Sequence, residues 1–192
     1  MRQGPVPVKA AACLRVGRDG APPRFPGTHD LIDGQDMGRR PSWDEYFMTI
    51  TRQVAERSTC TRAKVGALMA RDRSILATGY NGAPSGMPHC LDVGCLVYES
   101  TTPTGDIEKN CFRTIHAEIN AIAQAARNGT RIDGSDIYVT HSPCIHCFKV
   151  LVNTGIKRIF YERPYKLDSI EELRRNCGVE LYEVRLELEP AG

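Results

Sequence analysis

The sequence has no long uninterrupted hydrophobic run, no strong excess of one charge and no internal repeat. A helix that spans a membrane needs about 18 or more apolar residues in succession, so none is predicted. The 25 lysines and arginines nearly balance the 23 aspartates and glutamates, so global attraction to nucleic acid or an anionic membrane is not expected. With 192 residues, 41% hydrophobic and 25% charged, the chain is typical of a single globular domain.

The N-terminus also lacks the pattern of a secretion signal. Lys9 interrupts the stretch MRQGPVPVKAAACL before a hydrophobic segment of useful length develops. We therefore expect a cytoplasmic protein. In a reducing compartment, eight cysteines favour metal binding over a disulfide framework.

Two segments of different composition divide the chain. Residues 1–41 are rich in proline, glycine and arginine and show no periodicity, which predicts a flexible N-terminal extension. Met37 is a candidate for the true translation start, because the globular pattern opens a few residues later. Residues 42–192 are predicted to form the folded domain.

Periodicity within residues 42–192 predicts an α/β fold. Ser42 is expected to cap a helix with an apolar face that includes Trp43 and Phe47. Five strands are predicted at residues 65–70, 74–78, 137–140, 156–161 and 179–186. Further helices are predicted at residues 116–127, 142–155 and 168–177, the second with Ser142 as its N-cap and Pro143 at its first helical position. Because a helix separates the last two strands, they should be parallel.

Two short motifs indicate chemistry, His116-Ala117-Glu118 and Pro143-Cys144-Ile145-His146-Cys147. Cys144 and Cys147 are three residues apart near a helix start, so both thiols share one face where thiolate is favoured. With the His116 imidazole they make three protein ligands for zinc and leave a fourth position for water. Glu118 is placed to shuttle protons without binding the metal.

A Cys-x-x-Cys pair alone also fits half of a structural zinc site or a redox pair, with His116 as an ordinary core histidine. The combination of His-x-Glu at a helix start with Pro-Cys-x-x-Cys after a strand resembles the zinc-dependent nucleobase deaminases. This combination favours an enzyme. A nucleic-acid deaminase that acts on tRNA adenosine shares both motifs, and a non-enzymatic zinc-stabilised binding module is a further alternative.

Longer stretches of residues 42–192 resemble the deoxycytidylate (dCMP) deaminases, especially the late-competence type of bacteria and their phage relatives. The matching stretches are SWDEYFM, STCTRAKVGA, GYNGAPSG, RTIHAEINAI, IYVTHSPCIHC and GIKRIFY. The resemblance implies a three-layer α/β/α cytidine-deaminase-like fold with a five-stranded mixed sheet. It also implies hydrolytic deamination of dCMP to dUMP and ammonia, supplying dUMP for dTMP synthesis.

The resemblance assigns roles to the residues of the two motifs. It implies that His116, Cys144 and Cys147 hold the catalytic zinc. It implies that Glu118 is the catalytic residue that moves protons between the attacking water and the cytosine ring. The backbone of Ala117 is expected to orient the base.

Substrate contacts are expected at four further residues. By resemblance, Asn81 is expected to contact the sugar and Tyr165 the nucleotide. Charge alone suggests that Arg62 and Lys64 bind the 5′-phosphate. The alternative for this last pair is a solvated surface position.

Four further cysteines predict a second, structural zinc that would tie down residues 87–112, a stretch without clear periodicity. These are Cys60, Cys90, Cys95 and Cys111. Phage relatives carry such a zinc, with cysteines at the positions that match Cys60 and Cys90, but Thr114 stands where they have a glutamate ligand. The alternatives are His89 as a ligand, or free buried thiols.

Regulation and assembly are expected from the resemblance alone. Many dCMP deaminases are hexamers that are activated by dCTP with Mg²⁺ and inhibited by dTTP. The candidate effector contacts are Asn81, Gly82 and Gly86, because glycine-rich backbone can approach phosphates closely. The alternative is that this loop only shapes the mouth of the active site.

Overall fold

The computed structural model describes residues 39–101 and 105–186. Residues 1–38 lie outside the described residues. They include most of the predicted extension and the candidate start at Met37. The helices are α1 (Trp43–Ala55), α2 (Cys90–Val93), α3 (Ala117–Arg127), α4 (Ile145–Asn153) and α5 (Glu171–Cys177). The strands are β1 (Gly66–Arg71), β2 (Ser74–Tyr80), β3 (Val97–Thr101), β4 (Ile107–Cys111), β5 (Asp136–His141), β6 (Arg158–Arg163) and β7 (Glu180–Glu183). Within these ranges, no helix combines the length and hydrophobicity that a membrane crossing requires.

Five strands form one mixed sheet in the order β2-β1-β5-β6-β7. β1 pairs antiparallel with β2 and with β5, whereas β5, β6 and β7 run parallel to one another. The parallel pairs require crossover connections, which α4 and α5 provide. The predicted five-stranded sheet with its last two strands parallel is therefore confirmed.

Helices pack on both faces of this sheet. On one face, Met48 of α1 is fully buried in a cluster with Leu68, Tyr138 and Phe160 of three neighbouring strands. The opposite face packs against α3 and α4. The buried cluster there includes residues of both helices and of the sheet, among them Ala117, Ala121, Phe148, Leu151, Val139 and Tyr161. Because side chains alternate along a strand, the central strands β1, β5 and β6 each supply residues to both clusters. This arrangement gives the predicted three layers.

Helix α1 begins where the sequence predicts. The Ser42 hydroxyl accepts a hydrogen bond from the Glu45 backbone N–H at 3.2 Å, and the Glu45 carboxylate accepts one from the Ser42 N–H at 2.6 Å. This capping box satisfies two backbone donors that the first turn leaves without helical partners.

Gly79 of β2 allows α3 to lie directly on the sheet. A Cβ atom at this position would be 2.3 Å from the carbonyl oxygen of Ala117 and 2.4 Å from the backbone nitrogen of Ala121. Both are backbone atoms of α3, so a side chain could not be accommodated by rotating a neighbour. The first turns of α3 are therefore seated by direct backbone contact.

Residues 87–112 contain regular structure that periodicity did not predict. Helix α2 is followed by an antiparallel hairpin of β3 and β4, in register from Val97 opposite Cys111 to Thr101 opposite Ile107. Most side chains of both strands are exposed or half-buried, including Val97 and Ile107. Without one buried face there is no alternation of apolar and polar residues for the sequence to show.

Candidate functional site

His116 and two cysteines meet at the starts of two helices. His116 precedes α3 as its N-cap residue, and Cys144 precedes α4 in the same extended backbone conformation. Cys147 lies in the first turn of α4 and is buried. The prediction that Ser142 caps this helix is wrong, because α4 begins three residues later, after Cys144.

The distances within this cluster fit a tetrahedral zinc ion. The Nδ1 atom of His116 lies 3.5 Å from the Sγ atom of Cys144 and 3.3 Å from the Sγ atom of Cys147. All three ligand atoms lie within 4.8 Å of one another. Zinc bound to nitrogen at about 2.0–2.1 Å and to sulfur at about 2.3 Å separates such a pair by about 3.5 Å. The donor set and spacing therefore suit zinc.

The pKa values of the three groups reflect their mutual contacts. A hydrogen bond from Cys147 lowers the pKa of Cys144 to about 3, with a further contribution from His116. The same contact with Cys144, together with burial, raises the pKa of Cys147. A hydrogen bond to Cys144 raises the pKa of His116 against the effect of its own burial.

Glu118 is a buried carboxyl group beside this cluster. It lies in the first turn of α3, and only 4% of its surface is exposed. Burial raises the pKa of Glu118, whereas the nearby His116 and a hydrogen bond with Cys147 act in the opposite direction. A carboxyl group whose pKa is raised towards neutrality can both accept and donate a proton.

Asn81 is buried and forms internal hydrogen bonds. Its amide oxygen accepts from the Ser58 hydroxyl at 2.6 Å and from the Val65 backbone N–H at 2.8 Å, and its Nδ2 donates to the Ala63 carbonyl at 2.9 Å. These bonds hold the segment between α1 and β1. Sequence reasoning missed this structural role, because it depends on the path of that segment.

The glycine-rich loop after β2 pairs with the residue next to the metal cluster. The Gly82 N–H donates to the Ile115 carbonyl at 3.1 Å, and the Ile115 N–H donates to the Gly82 carbonyl at 2.8 Å. Gly86 has a φ of +86°, a conformation that favours glycine. The loop therefore helps to fix the position of His116.

Ser142 connects the metal cluster to Tyr165. Its hydroxyl accepts from the Tyr165 N–H at 2.6 Å and donates to the Tyr165 carbonyl at 2.9 Å. The Tyr165 side chain is exposed, with the Lys166 ammonium 5.4 Å from its ring centroid, and Lys166 pairs with Glu108 of β4. Sequence reasoning missed this use of Ser142 and interpreted the residue as a helix cap. Ala117, by contrast, is fully buried.

Arg62 and Lys64 lie on an exposed segment before β1. Arg62 donates to the Lys109 carbonyl at 2.9 Å, and Lys64 pairs with Glu56 at 2.6 Å. Both residues line a cavity of about 840 Å³, and neither belongs to the cluster around His116.

A second cluster contains three of the four cysteines that were predicted to bind a structural zinc. The sulfur atoms of Cys90, Cys95 and Cys111 lie within 4.8 Å of one another, and those of Cys90 and Cys111 are 3.9 Å apart. Two thiolates on a tetrahedral zinc are separated by about 3.8 Å, so the spacing fits. Neither Cys60 nor His89 belongs to this group of described residues. The Cys60 sulfur instead accepts the Arg62 backbone N–H at 3.5 Å.

Hydrogen bonds within the second cluster favour thiolate at one position. Burial raises the pKa of Cys111, but hydrogen bonds from the Thr114 hydroxyl, from backbone N–H groups and from Cys95 outweigh it and lower the pKa to about 6. The hydrogen bond to Cys111 raises the pKa of Cys95 to about 11. Thr114, with its hydroxyl 3.4 Å from the Cys111 sulfur, is thus part of the cluster.

A family model and several known proteins are similar to this chain. The family model described as the cytidine and deoxycytidylate deaminase zinc-binding region matches residues 41–163. ComE operon protein 2 of Bacillus subtilis is 44% identical over 149 residues, which cover 77% of this chain and 74% of that protein. Deoxycytidylate deaminase of Mycobacterium phage D29 is 37% identical over 126 residues, covering 65% of this chain and 97% of the phage protein.

A solved structure shows the same fold. The crystal structure of the dCMP deaminase of cyanophage S-TIM5 in complex with dCMP and dUMP has a TM-score of 0.61 and 31% identity to this chain. The match covers 77% of this chain and 100% of the cyanophage chain. Because the family match also includes all three residues of the first cluster, the chain belongs to the zinc-binding cytidine and deoxycytidylate deaminase family.

Proposed function

We propose that the protein catalyses the hydrolytic deamination of dCMP, in which water and dCMP give dUMP and ammonia. The observation that carries the proposal is the cluster of His116, Cys144 and Cys147 beside the buried carboxyl group of Glu118. The cyanophage dCMP deaminase with dCMP and dUMP supports the choice of substrate, since it matches across its full length.

Glu118 performs the proton transfers in this proposal. His116, Cys144 and Cys147 would hold a zinc ion, which would supply a water of lowered pKa. Glu118 takes a proton from the attacking water and delivers protons to N3 of the base and to the departing amine. Burial suits Glu118 to this task, because a raised pKa lets the carboxyl group give the proton back.

Substrate contacts are assigned to the residues around this centre. The Ala117 backbone orients the base, and the exposed Tyr165 ring contacts the nucleotide. Three of the four hydrogen bonds that the Asn81 amide can form are internal, so its second Nδ2 proton is the group proposed to reach the sugar. Arg62 and Lys64 are the proposed contacts of the 5′-phosphate.

We further propose a second, structural zinc at Cys90, Cys95 and Cys111, with Cys60 as its fourth ligand. The spacing of the three clustered thiols supports the site. The hydrogen bond from Arg62, two residues after Cys60, to the β4 backbone at Lys109 supports the choice of Cys60. The free thiols also suit the reducing cytoplasm, where we place the protein.

Regulation is proposed to follow the pattern of related enzymes, with a homohexamer, activation by dCTP with Mg²⁺, and inhibition by dTTP. The candidate contacts are Asn81, Gly82 and Gly86. Sedimentation and rate curves against dCMP concentration test these points. A hyperbolic curve that neither nucleotide shifts would reject the regulation, and a monomer would reject the assembly.

Ammonia release by zinc-loaded protein tests the activity itself. We would compare dCMP with deoxycytidine, CMP and dCTP, each with and without dCTP and Mg²⁺ as effectors. Selective turnover of dCMP is the expected result. If zinc is verified in the protein and no mononucleotide reacts, the proposal fails, and tRNA becomes the next substrate to test.

A further inference from the structure

A cavity of about 840 Å³ lies on the α1 side of the sheet, at the end where β5 and β6 terminate. Thr140 and Glu162, from these two strands, line it together with Arg52 of α1. Its volume lies within the range of about 300–1,000 Å³ that is common for small-molecule sites. The cavity is therefore large enough for a ligand of nucleotide size.

This cavity is distinct from the metal cluster. Side chains alternate along β5 and β6, so Thr140 and Glu162 share a face with Tyr138 and Phe160, which pack in the α1 cluster. Cys147 belongs to α4, which packs on the opposite face. The lining residues include no member of the metal cluster.

The lining carries more positive than negative charge. The lining contains five lysines and arginines and two glutamates, and each glutamate forms an ion pair with one of these cations. The seven residues are Arg52, Arg62, Lys64, Arg163, Arg185, Glu56 and Glu162. Glu162 accepts two hydrogen bonds from Arg52, at 2.9 and 2.8 Å, and Glu56 pairs with Lys64.

Two guanidinium groups are left without a carboxylate in hydrogen-bond contact among the described residues. Arg62 bonds only to the neutral carbonyl of Lys109, and the Arg163 Nε atom is 3.9 Å from a Glu162 oxygen that Arg52 already engages. Guanidinium groups bind phosphate strongly because their paired N–H donors match its oxygens.

We propose that this cavity binds the phosphate group of a small anionic ligand, with Arg62 and Arg163 as the principal contacts. Two sources of that group share this chemistry. One is the 5′-phosphate of dCMP, a reading that rests on the proposed function. The other is a separate phosphorylated compound.

A bound phosphate would act on the metal cluster through a short path. The Arg163 carbonyl accepts the backbone N–H of Ser142 at 2.9 Å, and Ser142 lies two residues before Cys144. The cavity and the metal loop therefore share one backbone connection. A ligand that holds Arg163 would stabilise the loop that carries Cys144.

Binding is tested with inorganic phosphate by ³¹P NMR titration of the full-length, zinc-loaded protein at constant ionic strength. Arg163→Gln should weaken binding by about tenfold, the effect of losing a charge-assisted hydrogen bond. Arg131→Gln is the matched control, because Arg131 is similarly exposed but pairs with Asp133 outside the cavity. Equal affinity in wild type and Arg163→Gln, or no binding to wild type, would overturn the proposal.

Competition then identifies the source of the phosphate group. Displacement by dCMP but not by deoxycytidine supports the cavity and assigns it to the substrate. Displacement by neither supports the cavity and assigns it to another ligand. Displacement by both would mean that phosphate had bound at the metal centre, and would overturn the proposal. None of these readouts requires deamination, so they can fail while the proposed activity holds.

Discussion

His116 and Glu118 are two positions apart in the sequence, and that spacing gives them different environments. His116 remains exposed at the helix cap, whereas Glu118 is buried in the first turn of α3. The imidazole is thus available to a metal, and the carboxyl group is held out of bulk water beside it. A short motif is sufficient here because both positions are set by a single helix start.

Replacing Glu118 with Gln should remove the proton carrier without disturbing the metal ligands. We expect turnover of dCMP to fall by about 10²–10⁴-fold, the usual contribution of general acid–base catalysis. Ammonia release and zinc content by elemental analysis provide the measurement. Glu172→Gln, on an exposed position of α5, is the control and should behave as wild type. Activity of Glu118→Gln within a few fold of wild type would contradict the assignment.

The residues that sequence reasoning placed best are those whose chemistry is local. His116, Cys144 and Cys147 lie at two helix starts, and their clustering requires only that the two helices be neighbours. Asn81 and Ser142 differ, because their partners lie elsewhere in the chain and depend on how connecting segments are routed. No periodicity or spacing encodes such contacts.

At the scale of elements, Ser142 joins the loop before α4 to the segment after β6. Ser142→Ala would leave the Tyr165 N–H and carbonyl without this partner, and we expect a loss of about 1–3 kcal/mol in the free energy of unfolding. Urea denaturation measures it. Ser169→Ala removes the exposed hydrogen bond from the Ser169 hydroxyl to the Lys166 carbonyl, and its loss in the free energy of unfolding should be smaller. An equal effect of both substitutions would show that burial of Ser142 is unimportant.

The second cluster joins α2 to the β3–β4 hairpin. Wild-type protein is expected to hold two zinc ions per chain, and Cys95→Ser to hold one, with faster hydrogen exchange in the hairpin. The reason is that a closed metal site supplies folding energy to a segment with little buried surface. Cys177→Ser, on an exposed thiol at the end of α5, should retain both ions. One zinc in fully loaded wild type would contradict the second site.

Helices and strands with one buried face could be predicted from the sequence, whereas elements without a buried face could not. Helix α1 shows its apolar side and its Ser42 cap directly in the sequence. The β3–β4 hairpin has no such face, so residues 87–112 gave no pattern. Strand β7 is shorter than predicted, ending at Glu183, and a 3₁₀ turn at Leu167–Ser169 occupies the start of the predicted helix at 168–177.

For the whole molecule, Arg52 and Glu162 link α1 to the sheet across 110 residues of sequence. Hydrogen bonds from Arg52 hold the pKa of Glu162 below its usual value. A lowered pKa in the folded state means that the pair stabilises the protein above the pKa of an unfolded glutamate. That contribution is lost as the pH falls through the lower folded value.

Glu162→Gln should therefore destabilise the protein at pH 7 and have less effect in acid. We expect a difference of about 1–3 kcal/mol from wild type at neutral pH, which shrinks as the pH falls below about 4. Urea unfolding of wild type and Glu162→Gln, each at pH 7 and at a pH below about 4, measures this difference. Zinc loss in acid is expected to lower the stability of both proteins equally, so it does not change the difference between them. An undiminished difference at low pH would show that charge is not the source.

The sheet as a whole was only partly accessible from the residues. The helix between the last two strands sufficed to predict that they are parallel. The placement of β1 between β2 and β5 was not predicted, since no local feature of β1 specifies its second partner. Long-range pairing is decided by the packing of all layers together.

The contact between Gly79 and α3 also sets how this protein can vary. A library of single substitutions selected for dCMP deamination should lose every replacement at position 79 about as completely as replacements of His116. A neighbouring exposed position such as Tyr80 should accept many. Deep sequencing before and after selection would give these frequencies, and survival of Gly79→Ala at wild-type frequency would contradict the expectation. Selection would then retain a glycine that takes no part in the reaction as strictly as it retains a metal ligand. The reason is that the backbone of α3 occupies the space where a side chain at position 79 would lie.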